Sequence, residues 1–210
     1  ELNIFEDKQQ SSLQSIEEET KAEEPKISSM LYDKQIICPI CGNIFKARTV
    51  KIAACMVESK DSDFFTRYKS INPYFYDVYL CVKCGYASMK RDFEIIKVNQ
   101  IELVKEKISI KWNGRKYPEI YNIDIAIERY KLALLNCVIT NARSSKKAFN
   151  CLKLSWMYRL NEDTENEIAF LKEALKGFSD AYYCEDFPIR GMDKYTVMYL
   201  IGEINRRTGN

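Results

Sequence analysis

Two short cysteine pairs, Cys38-Pro39-Ile40-Cys41-Gly42 and Cys81-Val82-Lys83-Cys84-Gly85, constrain this chain more than any other feature. A two-residue spacer lets both sulfurs of a pair reach one ion from a tight turn, and two such pairs can form a tetrahedral four-sulfur site. Glycine directly after the second cysteine of each pair permits the positive φ that such a knuckle tends to need. The 210 residues include no histidine. That removes Ser-His-Asp triads, Cys-His nucleophiles, HExxH sites, imidazole acid–base work and a near-neutral imidazole switch. Any metal is therefore held by sulfur or oxygen, and Cys38, Cys41, Cys81 and Cys84 are the candidate ligands. Four thiolates fill a zinc shell, so such a metal is read as structural rather than catalytic.

The same residues could serve other chemistry. A redox CxxC needs a strand–helix context that neither pair shows, and a structural disulfide pairing is a further alternative. CPxCG and CxxCGY are also the two halves of a rubredoxin-like iron signature, but here they stand in the reverse order with a different gap. One zinc per chain is the expectation, with iron as the alternative. Thirty-nine residues separate Cys41 from Cys81, more than a zinc ribbon usually carries, so an inserted subdomain is expected between the knuckles. Phe45 is placed to pack beneath the first turn. Of the other thiols, Cys137 and Cys151 fall in apolar helical patterns and read as core. Cys184 falls in an expected loop and Cys55 in a strand-like run, with a second-site ligand role as the alternative.

The net charge of +2 conceals a partition. Residues 1–33 carry nine acids and three bases, residues 34–116 sixteen bases and eight acids, and residues 117–210 thirteen of each. The first segment has few large apolar residues and reads as a disordered acidic tail, in which Leu2, Ile4 and Phe5 could form a docking motif. The middle is rich in β-branched and aromatic residues, and strands are expected at 35–37, 44–48, 50–57 and 77–80. Within the insertion, Asp61 and Asp63 could act as a carboxylate pair or hold a hard cation. The favoured reading is that they cap a helix starting at Phe64. The aromatic residues that follow, with Arg67, Lys69 and Lys83, could stack on bases, but closing a small core is the favoured role.

The run CPICG…DSDFFTRY…INPYFYDVYLCVKCGYA resembles a bacterial family of uncharacterised proteins, a domain of unknown function. Its members join this double CxxC and the CGYA tail to tetratricopeptide-like helices. The resemblance runs from about Ile36 to the end of the chain. It implies an architecture and a metal but no reaction.

From about Asp92 the apolar spacing turns helical. Ala126, Tyr130 and Ala133 fit the second helix of a tetratricopeptide-like repeat. Cys151, Leu154, Ser155 and Tyr158 fit the first helix of the next, with Leu171 and Ala174 on its second. Glu167 stands there where a small residue is expected. Met198, Ile201 and Gly202 fit the start of a third repeat. Equivalent positions are 41 and 47 apart rather than about 34, with the excess assigned to Asn141–Lys147 and to a loop over 181–194. A generic helical bundle is the alternative. The third repeat is expected to be cut short at Gly209-Asn210, leaving a helix for truncation or contact with another copy to explain.

The expected fold is thus α+β. An acidic tail over 1–33 precedes a zinc-ribbon-like β module with an insertion over 34–97, and an all-α helical domain covers 98–210. No run of 18 or more apolar residues exists and no signal peptide is evident, so a cytoplasmic protein with reduced thiols and no membrane contact is expected. With no Gly-rich phosphate loop and no catalytic constellation, the expected function is non-enzymatic: a zinc-stabilised scaffold binding a protein or peptide through its helices. Nucleic-acid binding by the basic middle segment is the alternative.

Overall fold

The computed structural model describes residues 27–209. Of the acidic tail expected over 1–33, residues 1–26, with Leu2, Ile4 and Phe5, lie outside the described residues. Small antiparallel strand pairs are followed by helices, an α+β fold. Strand β1 (Leu31–Ile37) pairs with β2 (Ile44–Val50), from Leu31 opposite Val50 to Ile37 opposite Ile44. Leu31–Asp33, grouped with the acidic segment by charge, are therefore the first residues of a strand. β3 (Val57–Lys60) pairs with β4 (Thr66–Tyr68), and β5 (Val78–Leu80) with β6 (Ala87–Met89). The middle hairpin is the insertion between the two knuckles.

Two local expectations are corrected. The run 50–57 is not one strand: β2 stops at Val50, and Ile52–Ala54 form a 3-10 turn with Ile52 exposed to solvent. β1 begins opposite Val50, so no partner strand continues the ladder past it. No helix starts at Phe64, which instead turns the β3–β4 hairpin with a φ of +68°. Asp63 accepts from the Phe65 N–H at 3.4 Å, closing a turn rather than capping a helix.

The helices are α1 (Val98–Lys107), α2 (Ile123–Ile139), α3 (Ser144–Leu160), α4 (Thr164–Cys184) and α5 (Lys194–Thr208). Asn122, Asp163 and Asp193 start α2, α4 and α5 by accepting backbone N–H bonds at 2.8–3.0 Å. From α2 onward each helix packs on the next. The α3–α4 crossing is tight at Gly177, where a Cβ would stand 2.9 Å from that of Ala148. The expected loop over 181–194 begins only after Cys184, which ends α4 as an exposed residue. Cys137 and Cys151 are buried, as expected, and burial pushes both thiols up, that of Cys151 to about 12.

Two clusters carry most of the core. In the larger, Phe65 of the β3–β4 turn and Val78, Leu80, Ala87 and Met89 of the strands pack with residues of α2 to α5. In the second, Ile36, Tyr79, Tyr86 and Phe93 surround the cysteines together with Val104 and Ile108 of the α1 region. The aromatic insertion is mostly interior: Phe65 stacks on Trp156 with ring centroids 5.2 Å apart, and Tyr76 on Tyr121 at 4.7 Å. Among the described residues, no helix is long and apolar enough to cross a membrane.

Candidate metal centre

Each cysteine pair sits at the tip of a hairpin, and the two tips have the same local geometry. The Cys38 N–H donates to Asn43 O and the Cys81 N–H to Tyr86 O, both at 2.9 Å, closing the strand ends. Gly42 N–H donates to Cys38 O and Gly85 N–H to Cys81 O, again at 2.9 Å. Gly42 and Gly85 have φ of +67° and +75°, a region where side chains are strained, so the glycine of each CxxCG is required by the turn itself.

The fold brings the tips together. Cys38 Sγ lies 3.6 Å from Cys84 Sγ, and Cys41 Sγ lies 3.7 Å from Cys81 Sγ. All four sulfurs fall within 4.8 Å of one another. A tetrahedron with metal–sulfur bonds of about 2.3 Å has edges of about 3.8 Å. The group could therefore hold a metal ion, and an all-sulfur donor set suits zinc or iron. Without a cation, four ionised sulfurs this close would repel. The thiols accordingly diverge: bonding to Cys38 holds Cys81 far below the usual thiol range, while contact with Cys81 drives Cys38 up to about 12.

The surroundings of the two tips differ. Phe45 packs beside the first, meeting Phe93 edge-on at 5.9 Å. Asn43 directs Nδ2 toward Cys81 Sγ at 3.9 Å, linking the first knuckle to a sulfur of the second. The second knuckle is clamped from the helical side. Ser109 Oγ donates to Cys84 O at 2.9 Å, Trp112 Nε1 to Val82 O at 2.8 Å, and Asn136 Nδ2 to Gly85 O at 3.4 Å. Sequence spacing could not reveal these supports, because Ser109 is 25 positions from its partner and Asn136 is 51. Cys55, half-buried after the Ile52–Ala54 turn, and exposed Cys184 are outside the four-sulfur group.

The DSDF segment does something else. Arg159 of α3 donates to Asp61 Oδ2 at 2.8 Å, to Asp63 Oδ2 at 2.6 Å and to Glu167 Oε1 at 2.6 Å. Asp63 is fully buried and also accepts from Trp156 Nε1 at 3.1 Å. Arg67 adds a two-bond pair to Asp61 at 3.0 and 3.1 Å. A guanidinium thus stands between the two carboxylates, fastening the inserted hairpin to the helices. Glu167, the misfit in the repeat pattern, is part of the same network.

The fold and site together define a class of protein: an α+β chain whose four-cysteine, ribbon-like module shares its core with a set of sequentially packed helices. The chain belongs to the bacterial family described as "Uncharacterized protein conserved in bacteria (DUF2225)", which matches residues 31–210. No curated protein and no solved structure matches it at a significant level.

Proposed function

We propose that this protein is a non-enzymatic scaffold in which Cys38, Cys41, Cys81 and Cys84 hold one structural zinc, and the helical half, read as tetratricopeptide-like, binds a protein or peptide. The observation that carries the metal reading is the four-sulfur cluster with edges near those of a zinc tetrathiolate. Four thiolates leave no open position for water, so the ion's work is to hold two hairpin tips together. Iron would fit the same donors. Metal analysis of purified protein decides: one zinc per chain, with a chelator lowering the melting temperature, is expected. Iron with visible charge-transfer bands, or a metal-free chain that melts unchanged, refutes it.

The binding half of the proposal rests on a groove of about 240 Å³ among α2, α3 and α4, with Leu134, Val138 and Phe170 beside Lys147 and Glu173. It combines apolar walls with both charge signs, as a peptide site requires. A partner captured from bacterial cytosol by the full chain should be lost with Val138→Glu. Retention by that variant would remove the groove from the proposal. Nucleic-acid binding is the second reading, supported by the cluster of Lys46, Arg115 and Lys116 on the basic segment.

A further inference from the structure

A cavity of about 750 Å³ opens between β2 and the loop that leads into α2. Lys46, Arg115, Lys116 and Arg129 line it, and no aspartate or glutamate does. Glu128 is the nearby acid, and it is already paired with Arg115. Lys46, Lys116 and Arg129 have no ion pair among the described residues.

Arg129 is the unusual member. Only 6 % of it is exposed, yet it makes a single hydrogen bond, from Nη2 to Val78 O at 2.5 Å. Its Nε is buried without an acceptor, as is the hydroxyl of Tyr117 on the cavity wall. The guanidinium lies 5.1 Å from the Tyr117 ring centre and 4.8 Å from that of Tyr121. Aromatic faces offset part of the cost of burying this cation. They supply no counter-charge; the one carboxylate acting on Arg129 is Glu128, which is ion-paired with Arg115 rather than with it, and a buried charge without a direct partner is costly. Two rings that also contact each other edge-on, with centroids 6.1 Å apart, brace the guanidinium at the wall, and a guanidinium suits an oxyanion.

We propose that this cavity binds a small organic phosphate, with the phosphate held by Arg129, Lys46 and Lys116. Several converging cations and no lining acid favour a group bearing more than one negative charge over a single carboxylate. The volume lies within the roughly 300–1,000 Å³ typical of small-molecule sites, so the guest has an organic body beyond its phosphate. Phe45, Leu80 and Val82 supply apolar wall for that body. The site is separate from the scaffold reading, since it uses neither the cysteines nor the groove of α2 to α4.

The test is calorimetric titration of the full, metal-loaded chain at low salt with adenosine 5′-monophosphate, inorganic phosphate, adenosine and a single-stranded RNA 20-mer. The monophosphate should bind one to one, at least about tenfold more tightly than adenosine or inorganic phosphate. Lys46→Glu with Lys116→Glu should weaken it by about tenfold or more without changing the circular dichroism spectrum. Arg129→Met is a third probe, read only alongside that exposed-rim pair because it also removes a buried contact. The proposal is overturned by no saturable binding up to about 10 mM. It also falls if adenosine and its monophosphate bind equally, or if the charge-reversed pair binds unchanged. Binding of the RNA strand alone overturns it in favour of a nucleic-acid surface.

Discussion

Gly42 and Gly85 occupy the same place in two matching motifs, yet the structure separates what a methyl group would do at each. Both are left-handed, so alanine carries a backbone cost of about 1 kcal/mol at either position. At Gly42 a Cβ meets nothing within 4 Å, and the cost stops there. At Gly85 it would stand 2.7–2.8 Å from three atoms of the Trp112 ring. Favourable carbon–carbon contact is about 3.5–4.0 Å, so something must move. Trp112 cannot swing aside freely, because its indole N–H is bound to Val82 O at 2.8 Å. Overpacking of this kind adds about 1–3 kcal/mol, which brings Gly85→Ala to about 2–4 kcal/mol in all. The assay is thermal unfolding of the metal-loaded chain followed by circular dichroism, where each kcal/mol moves the midpoint by about 2–4 °C. Gly85→Ala should shift it two to four times as far as Gly42→Ala, by the ratio of those costs. Placed in a Trp112→Ala background, the added effect of Gly85→Ala should fall to that of Gly42→Ala. Equal shifts for the two single variants would refute the clamp on the second knuckle.

Three further outcomes follow from the same geometry. Arg159→Met leaves fully buried Asp63 with only the Arg207 guanidinium, 3.8 Å away, and should cost up to about 3–5 kcal/mol in urea unfolding, with Asp63→Asn restoring part of the loss; a cost below about 1 kcal/mol contradicts the network. Lys153 is buried 3.6 Å from Asp77, and desolvation lowers its amine to about 8. Its folded pKa is below its unfolded one, so the penalty is full below pH 8 and is relieved as pH rises toward 10.5; wild-type stability should gain on that of Lys153→Met over this window, by an amount on the order of 3 kcal/mol, and parallel curves would refute it. With metal bound, a thiol reagent should modify two cysteines quickly, Cys55 and Cys184; after chelation Cys38, Cys41, Cys81 and Cys84 should join them, and no change on chelation would count against the metal.

Much of the site could be read from spacing, because a CxxCG turn is a local object. Its reach, its hydrogen bonds and its glycine depend on five consecutive residues. The helices of the second half were likewise visible, because their apolar periods lie within single elements. The β3–β4 hairpin was not. Asp61-Ser62-Asp63 ahead of two aromatics resembles a helix start when read locally. What decides it is Arg159, 96 positions from Asp63, together with a slot beside Trp156 that Phe65 fills. The misplaced strand over 50–57 has the same origin: β propensity persists beyond Val50, but the partner strand does not.

The sequence by itself determined the candidate donor set: four cysteines in two turns, with no imidazole to substitute for any of them. It also determined the order of a β module followed by helices, since alternation and helical period are properties of neighbouring residues. Only the tertiary structure decided that the tips meet with sulfurs 3.6 and 3.7 Å apart, and that Ser109 and Trp112 hydrogen-bond to the second tip. It alone gathered Lys46, Lys116 and Arg129 around one cavity from distant parts of the chain. Long-range proximity of this kind is set by how the elements pack around shared cores, and no local pattern in the chain encodes it.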